Sequence, residues 1–266
     1  MCNSIKTAII LAAGKGSRLN EKNDPFFSKA MYKVFDLPLI CYGIDALVYS
    51  GIEKIFIMKN NYDYGIETIK NRYADTVSIS FIENNNYTSL ISLMKFEEIV
   101  TTPFVLLDSD IYIQKDNMER FLKHTQNDSM IDGDVFCYIP IVENAHSKKV
   151  KNVNVDENTN KVIGFDKGGY LNGYYGAMIY VFYRNPFNFC LELKNRGEQR
   201  FTIFFSKLVD RYKVKAVLIN NLWDCNDIED IHILKRTYFD TNLDPQSEGP
   251  EDDEIVEWKN KNPAAK

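Results

Sequence analysis

The 266-residue chain has little of what several classes of enzyme require. Its three histidines, His124, His146 and His232, accompany no candidate nucleophile, which argues against Ser-His-Asp or Cys-His hydrolases and against a zinc site. The five cysteines form no Cys-x-x-Cys pair and are odd in number, as is typical of a reducing compartment. No apolar run is long enough for a signal peptide or a membrane span. We therefore expect a cytoplasmic protein without membrane insertion.

The main part of the chain also lacks a strong excess of one charge. Residues 241–266 contain seven acidic residues and three lysines, and so account for most of the net charge of −5. A nearly neutral main part argues against nonspecific binding of nucleic acid. The composition changes after Phe239, which predicts one domain over residues 1–240 and a flexible acidic tail over residues 241–266.

Strand and helix patterns alternate through the first half, which predicts an α/β fold with a largely parallel sheet. Strands are expected at 52–58, 77–82 and 103–107, and helices at 63–74 and 89–100. A further helix is expected between Pro38, which favours a helix start, and Gly51, which favours a helix end. Ligands of such sheets gather at the carboxyl ends of the strands.

A glycine loop follows the first predicted strand. The apolar run 8–13 is typical of a strand buried on both faces, and Gly14 and Gly16 come directly after it. Backbone N–H groups of such a loop can approach an anion, while Lys15 and Arg18 add positive charge. The spacing fits neither the dinucleotide fingerprint nor the P-loop nor the protein-kinase loop. The sequence therefore predicts a triphosphate site here, with an ordinary strand-to-helix turn as the alternative.

Two carboxylates follow the strand predicted at 103–107. Asp108 and Asp110 stand two positions apart at its carboxyl end, where oxygen ligands can hold Mg²⁺ against a phosphate. The alternative is a solvated turn, since Asp favours turns. The glycine loop makes the magnesium interpretation the better one.

Residues 11–19 reproduce the motif Leu-Ala-Ala-Gly-x-Gly-x-Arg-Leu, and the chain thereby resembles nucleotidyltransferases that make NDP-activated small molecules, over about residues 6–240. The resemblance implies a single Rossmann-like domain of GT-A type, with a central, mostly parallel mixed sheet flanked by helices. It also implies a catalytic lysine at Lys29, although Ser28 replaces the usual preceding proline. The implied nucleotide-binding residues of the first half are Leu11, Ala12, Ala13, Gly14, Lys15, Gly16 and Asp108.

One further segment resembles the branch of this family that activates phosphocholine, 2-aminoethylphosphonate or inositol phosphate, and another resembles the family's metal-site segment. Asn84, Asn86 and Ser89 match a stretch that lines the base pocket, although Ser89 could instead cap a helix. Residues 222–230 match the segment that completes the metal site, which implies Asn226 or Asp224 as the second ligand. Asn226 followed by Glu229 is also a good capping box, so a structural role competes.

The resemblance also implies an acceptor site. Lys167, which would meet the acceptor's phosphate, lies in an Asp-Lys-Gly-Gly run that a hairpin turn would explain equally well. The expected acceptor-binding residues are Asp166, Lys167, Tyr174, Tyr175, Gly176 and Trp223.

The implied reaction is Mg²⁺-dependent transfer of CMP from CTP to a small phosphorylated or phosphonate acceptor, with release of pyrophosphate. Lys15 and Arg18 would hold the β- and γ-phosphates, and Lys29 and Lys167 would orient the attacking group. The alternatives are a sugar-1-phosphate nucleotidyltransferase, a glycosyltransferase, which also uses an Asp-x-Asp motif, and a nucleotide-binding paralogue without turnover. The oligomeric state is left open.

Overall fold

The computed structural model describes residues 4–14, 16, 18–19, 28–61, 64–84, 89–143, 151–166 and 173–242. The strands are β1 Thr7–Leu11, β2 Lys33–Val34, β3 Leu37–Pro38, β4 Lys54–Lys59, β5 Ser78–Glu83, β6 Phe104–Asp108, β7 Ile111–Tyr112, β8 Cys137–Val142, β9 Lys151–Asp156, β10 Lys161–Asp166, β11 Tyr175–Gly176, β12 Ile179–Phe182, β13 Val214–Leu218 and β14 Trp223–Asp224. The α-helices are α1 Leu39–Tyr49, α2 Ile69–Arg72, α3 Ser89–Met94, α4 Lys115–Ile131, α5 Phe187–Asn195, α6 Phe201–Arg211 and α7 Ile228–Asn242. Lys29–Met31 and Tyr64–Thr68 form 3-10 helices.

The main sheet has ten strands in the order β11-β9-β10-β13-β8-β12-β6-β1-β4-β5. The strands β6, β1, β4 and β5 run parallel to their neighbours in this group. On the other side of β6, β12 is antiparallel to both β6 and β8, and β9 and β10 form an antiparallel pair. The predicted α/β fold class with a mixed sheet is therefore confirmed, with the parallel part concentrated in the first half.

The order of the parallel strands creates a crevice beside β1. The chain passes from β1 to β4 and β5 on one side, and then returns to β6 on the other side. The loops that leave β1 and β6 consequently diverge, and such a switch point is where open α/β sheets bind ligands. The glycine loop after β1 and the aspartates at the end of β6 therefore begin next to each other at this switch point.

The core lies on both faces of the sheet, as the apolar run in β1 predicts. Ala8 and Ile10 belong to one buried cluster with α1 and α4, whereas Ile9 belongs to another with α3, α5 and α6. Alternate residues of a strand point to opposite faces, so helices on both faces bury this strand completely. The four described cysteines are buried and free, and they pack as small apolar residues.

Several predicted elements need their bounds changed. The prediction of α1 is confirmed, since it starts after Pro38, and Gly51 follows it with a φ of +86°. The helix predicted at 89–100 is wrong in length, because α3 ends at Met94 and the chain continues in turns with bonds such as Lys95 N–H to the Ser92 carbonyl. The helix predicted at 63–74 is a 3-10 helix followed by α2. No helix among the described residues is long and apolar enough to cross a membrane.

Candidate active site

Backbone contacts join the glycine loop to the acidic turn. Leu11, at the end of β1, is the register partner of Asp108, at the end of β6. The Ser109 N–H donates to the Leu11 carbonyl at 3.1 Å, and the Ala12 N–H donates to the Met58 carbonyl at 2.8 Å. The first residues of the two loops are thus fixed side by side at the carboxyl edge of the sheet.

The glycine loop has the conformation that its glycines permit. Gly16 has a φ of +58°, in the left-handed region that favours glycine, and its carbonyl accepts the Leu19 N–H at 2.9 Å. A Cβ atom added at Gly14 would meet no atom of the described residues within 4 Å. The space over Gly14 is therefore open to a ligand. Lys15 lies outside the described residues.

Leu19 fastens the end of this loop to the rest of the site. It is 3% exposed and belongs to an apolar group that we call the site cluster. The site cluster consists of Leu19, Val34, Leu39, Tyr112, Trp223, Cys225, Ile231 and Leu234. Arg18, directly before Leu19, is exposed. Because Tyr112 follows the acidic turn by two residues, the glycine loop and the acidic turn are held by one common core.

Lys29 and Asp110 form an ion pair at the centre of the site. Each side chain is 13% exposed, and the lysine ammonium donates to a carboxylate oxygen. Lys29 begins a 3-10 helix after Ser28, whose backbone is extended. The Ser28 hydroxyl is buried and makes no hydrogen bond among the described residues. The structure thus brings together a lysine and an aspartate that the sequence analysis assigns to the same site.

The pairing of β7 with β14 places the start of the segment 222–230 beside Asp110. Asp224 is the register partner of Ile111, and the Cys225 N–H donates to the Asp110 carbonyl at 2.9 Å. Burial raises the pKa of the Cys225 thiol, and the carboxylates of Asp110, Asp224 and Asp230 raise it further. The positive charge of Lys29 acts in the opposite direction and lowers this pKa.

Burial also raises the pKa of Tyr180, with smaller contributions from Cys137, Asp108 and Asp224. This tyrosine lies in β12, and its ring is stacked on that of Phe205. The backbone pairings place Asp108 at the end of β6 and Asp224 opposite Ile111, directly after Asp110.

The donor set of this region fits Mg²⁺. Among the described residues, no three His, Cys, Asp or Glu side chains lie close enough together to hold a metal ion. Mg²⁺ is commonly held by one or two carboxylates and completes its coordination with water and substrate phosphates. Asp110 with Asp224 or Asn226 supplies such a partial set, next to the open space above the glycine loop.

The start of α7 differs from the prediction by one residue. Asp227 accepts the Asp230 N–H at 3.1 Å, and the Asp230 carboxylate accepts the N–H groups of Asn226 and Asp227 at 2.8 and 3.2 Å. The capping box is therefore Asp227 with Asp230, and the predicted box of Asn226 with Glu229 is wrong. Since α7 begins at Ile228, the cap falls on Asp227, and the Asn226 side chain takes no part in it.

The predicted base-binding residues are placed only in part. Asn84 follows β5, is 1% exposed and donates from its side-chain amide to Ser92. Its backbone N–H donates to the Lys59 carbonyl at 2.9 Å. Asn86 and the side chain of Ser89 lie outside the described part of the chain. The buried polar groups Lys59, Asn60, Asn84 and Ser92 nonetheless place a hydrogen-bonding region at the carboxyl ends of β4 and β5.

The predicted acceptor residues fall into two groups. Tyr175 and Gly176 form β11, between β8 and β9, and Tyr174 precedes them; both tyrosines are half-buried. A Cβ atom at Gly176 would lie 2.9 Å from Val153 Cγ2, so a larger residue there would force the Val153 side chain to shift. Lys167 and the side chain of Asp166 lie outside the described residues.

Trp223 does not have the placement expected of an acceptor-binding ring. It is 6% exposed within the site cluster, and its ring meets that of Tyr112 edge-on at 5.3 Å between centroids. The structure places this ring in the core, which speaks against direct contact with an acceptor. From the sequence alone, a tryptophan at the end of a strand could either contact an acceptor or pack in the core, and only the observed packing distinguishes these roles.

Sequence reasoning missed two residues that hold the site in place. Asp230 binds the segment that carries Asn226, and Lys59 binds the segment that begins at Asn84. The spacing Asp227-x-x-Asp230 before an apolar helical pattern was a usable signal for the first. A lysine at the end of an apolar strand was the only signal for the second.

The comparison with protein families shows the family of this chain. The model of the family described as Nucleotidyl transferase matches residues 7–238. The chain belongs to the nucleotidyl transferase family. The resemblance stated from residues 11–19 is confirmed.

Two curated relatives show how far similarity to other nucleotidyl transferases extends. Bifunctional protein GlmU of Methanocaldococcus jannaschii is 26% identical over 232 residues, which cover 83% of this chain and 50% of that protein. Choline-phosphate cytidylyltransferase of Streptococcus pneumoniae is 36% identical over 125 residues, which cover 42% of this chain and 48% of that protein. The chain spans about half the length of the curated relatives it matches.

Solved structures share the fold. The complex of UDP-glucose pyrophosphorylase with UDP-glucose superposes with a TM-score of 0.72 at 16% identity, covering 90% of this chain and 100% of that one. The inositol-1-phosphate CTP transferase from T. maritima superposes with a TM-score of 0.70 at 18% identity, covering 91% of this chain and 99% of that one. At these identities the likeness establishes the nucleotidyl transferase fold alone.

Proposed function

We propose that this nucleotidyltransferase transfers CMP from CTP to a small phosphorylated or phosphonate acceptor, of the phosphocholine or 2-aminoethylphosphonate type, and releases pyrophosphate. The observation that carries the proposal is the ion pair of Lys29 with Asp110, beside the open glycine loop. A lysine and a carboxylate so placed can serve a phosphate and its Mg²⁺ ion together.

The triphosphate fits the crevice between the ends of β1 and β6. Backbone N–H groups of residues 12–16, together with Lys15 and the exposed Arg18, would neutralise the β- and γ-phosphates. Asp110, with Asn226 or Asp224, would hold Mg²⁺, which when bound supplies further positive charge to the phosphates. Lys29 and Lys167 would orient the acceptor.

The reaction needs no general base. An anionic phosphate or phosphonate oxygen of the acceptor forms a new bond to the α-phosphorus of CTP, and the bond to the pyrophosphate oxygen breaks. Since the attacking oxygen carries no proton at neutral pH, positioning and charge neutralisation account for catalysis. Catalysis by positioning and charge neutralisation agrees with a site that consists of a lysine and carboxylates.

The base would extend toward the carboxyl ends of β4 and β5. A nucleotide whose phosphates lie over the glycine loop reaches the neighbouring strand ends, and there the buried polar groups Lys59, Asn60 and Asn84 lie. The Asn84 side chain is buried and donates to Ser92, so it would support the groups that meet the base rather than read the base itself. The choline-phosphate cytidylyltransferase relative and the CTP transferase structure support cytidine.

The acceptor would lie beyond β6, toward β12 and β11. The half-buried Tyr174 and Tyr175 offer ring faces that can hold an ammonium group, at ~0.5–2 kcal/mol each. The name of the choline-phosphate relative supports an acceptor of this kind.

A sugar 1-phosphate is the second candidate acceptor. The fold superposes on UDP-glucose pyrophosphorylase with a TM-score of 0.72, as well as it does on the CTP transferase at 0.70. Either acceptor presents a phosphate oxygen to the α-phosphorus, so the positions given to Lys29 and Asp110 apply to both reactions.

A screen of substrates tests the proposal. Pyrophosphate release is measured with each of the four nucleoside triphosphates and Mg²⁺ against phosphocholine, 2-aminoethylphosphonate and several sugar 1-phosphates. We expect the highest kcat/KM with CTP and one of the first two acceptors. A preference for UTP or dTTP with a sugar 1-phosphate would replace the proposal by the second candidate.

Two other results would assign the chain to a different class. Hydrolysis of a UDP-sugar without pyrophosphate release would identify a glycosyltransferase. Binding of CTP without pyrophosphate release on any acceptor would identify a nucleotide-binding paralogue.

A further inference from the structure

The Asp110 carboxylate has a cation as its partner, the ammonium of Lys29. The pair joins a lysine of the 3-10 helix Lys29–Met31 to an aspartate that follows β6, and both side chains are partly buried. Separating such a pair leaves two charges that water solvates incompletely, so each partner tends to stay with the other. The carboxylate that the proposed function gives to Mg²⁺ therefore already binds one positive charge.

The backbone around Asp110 is tied to neighbouring strands on both sides. The Ser109 N–H donates to the Leu11 carbonyl at 3.1 Å, and the Asp110 carbonyl accepts the Cys225 N–H at 2.9 Å. The pairing of β7 with β14 begins at the next residue, Ile111. Because an aspartate side chain is short, a fixed backbone leaves its carboxylate little freedom to move.

The backbone of Lys29 is also held, so a change of partner has to occur in its side chain. The Lys29 carbonyl accepts the Tyr32 N–H at 3.2 Å, and the Tyr32 carbonyl accepts the Leu39 N–H at 2.9 Å. Ala30, the next residue, is completely buried. A lysine carries its compact charge on a flexible four-carbon stem. The ammonium can therefore leave Asp110 while the main chain stays in place.

One carboxylate serves two cations poorly. A divalent metal ion on Asp110 would meet the Lys29 ammonium as a like charge, and partial burial strengthens that repulsion. Within the proposed function the ammonium has a second partner, the negatively charged phosphates of the substrates. Binding of a metal ion to Asp110 and transfer of Lys29 to a phosphate therefore favour each other.

We propose that Lys29 competes with the metal ion for Asp110, so that the site binds a free metal ion weakly until a phosphate draws the lysine away. The inference rests on the proposed placement of Mg²⁺ at Asp110. Linkage makes the effect reciprocal: a phosphate that holds Lys29 raises the affinity for the metal ion by the factor by which the metal ion raises the affinity for that phosphate. Lys29 thereby couples retention of the metal ion to the presence of the nucleotide.

The test measures binding of Mn²⁺ without nucleotide, by the electron paramagnetic resonance signal of the free ion. Mn²⁺ is suitable because it prefers the same oxygen ligands as Mg²⁺. In Lys29→Met we expect Mn²⁺ to bind about tenfold more tightly than in the wild type, because the competing cation is gone. Lys29→Arg keeps a cation on Asp110, and Lys33→Met removes the charge of a nearby exposed lysine in β2. Neither should bind Mn²⁺ more tightly than the wild type.

Several results would overturn the inference. One is a gain in Mn²⁺ affinity of less than about threefold in Lys29→Met, and another is undetectable binding to both this variant and the wild type. An equal gain in Lys33→Met or Lys29→Arg would do so too, since the effect would not depend on the pair. Adding Asp110→Asn to Lys29→Met should abolish the gain. A gain that persists in the double variant would show that Asp110 does not hold the ion.

Thermal unfolding gives a second measure of the same competition. A ligand that binds the folded protein raises its melting temperature. The rise caused by Mn²⁺ should be larger for Lys29→Met than for the wild type, and an equal or smaller rise would contradict the inference. If Lys29→Met does not fold, Lys29→Gln takes its place with the same expectations, because its amide is uncharged but can still donate a hydrogen bond to Asp110.

These measurements separate the inference from the proposed function. Failure to release pyrophosphate from CTP with any of the acceptors would contradict the proposed function, while the Mn²⁺ affinities would still decide whether Lys29 competes for Asp110. Full wild-type activity together with an unchanged Mn²⁺ affinity in Lys29→Met would overturn the inference and leave the proposed function in place.

Discussion

Lys29 and Asp110 are 81 residues apart in the chain, and the fold joins their side chains in a partly buried ion pair. Partial burial costs both groups solvation, so such a pair contributes little net stability. It does keep a cation and a carboxylate in fixed positions beside the open glycine loop. At the residue scale, we interpret this pair as the part of the site where an enzyme of this family would handle phosphate charge.

Replacing the lysine of this pair tests that interpretation. In Lys29→Met we expect pyrophosphate release to fall by about 10²-fold, because a positive charge near the phosphates is removed and not replaced. Initial rates at saturating nucleotide and Mg²⁺ are the measurement. Lys207→Met, at an exposed lysine on α6, is the control and should retain the wild-type rate. A Lys29→Met rate within threefold of wild type would show that the pair is structural.

The positions of individual site residues were predictable where polar residues or glycines directly follow an apolar strand. The positions of Asp108 and Asp110 were predictable because an apolar strand precedes them, and the turn at Gly16 was predictable because glycines follow the apolar strand β1. The position of the Trp223 ring was not predictable from the sequence. An aromatic residue that lines a site and one that is buried in the core occur in the same sequence pattern. The packing of Trp223 against Tyr112 decides between them, and it depends on a pairing of β7 with β14 that no local pattern reveals.

At the scale of elements, the start of α7 does two things at once. The Asp230 carboxylate completes the helix cap and also accepts the backbone N–H of Asn226, a candidate metal ligand. β14 is tied to the acidic turn through the bond from Cys225 to Asp110. A change in the cap should therefore alter both the stability of the protein and the handling of Mg²⁺.

The variant Asp230→Ala separates these effects. We expect the free energy of unfolding to fall by about 1–2 kcal/mol, because a cap is lost and two N–H groups lose their partner. We also expect a severalfold rise in the Mg²⁺ concentration that gives half-maximal activity. Urea denaturation and a Mg²⁺ titration are the measurements. Glu229→Ala, at the exposed neighbour, should change neither, and an effect there equal to that of Asp230→Ala would contradict the observed cap.

Elements with strong local signals were predicted and those shaped by packing were not. Pro38 and Gly51 mark the two ends of α1, and the structure agrees. The apolar spacing of residues 89–100 predicts a long helix, but α3 ends at Met94, and Phe96 and Val100 are buried through turns instead. A long helix and a short helix followed by turns can bury the same apolar residues, and the sequence pattern does not distinguish the two.

At the scale of the whole molecule, the order of the strands brings the site together. β1 and β6 are neighbours although almost a hundred residues separate them, because β4 and β5 are added on the far side of β1. The parallel half follows from the alternation of strands and helices in the sequence. The mixed half, from β8 to β13, does not, because it combines antiparallel pairs such as β12–β6 with the parallel pair β8–β13, and both of these join strands far apart in the chain.

The most direct test of the central claim is Mg²⁺-dependent pyrophosphate release by Asp110→Asn, measured beside wild type with the best nucleotide and acceptor. Asp210→Asn, at an exposed aspartate on α6, is the matched control. The account predicts that Asp110→Asn loses about 10²-fold or more of the rate while the control keeps it. A rate near that of wild type, with the same dependence on Mg²⁺, would contradict the claim that Asp110 holds the metal of a nucleotidyltransferase site.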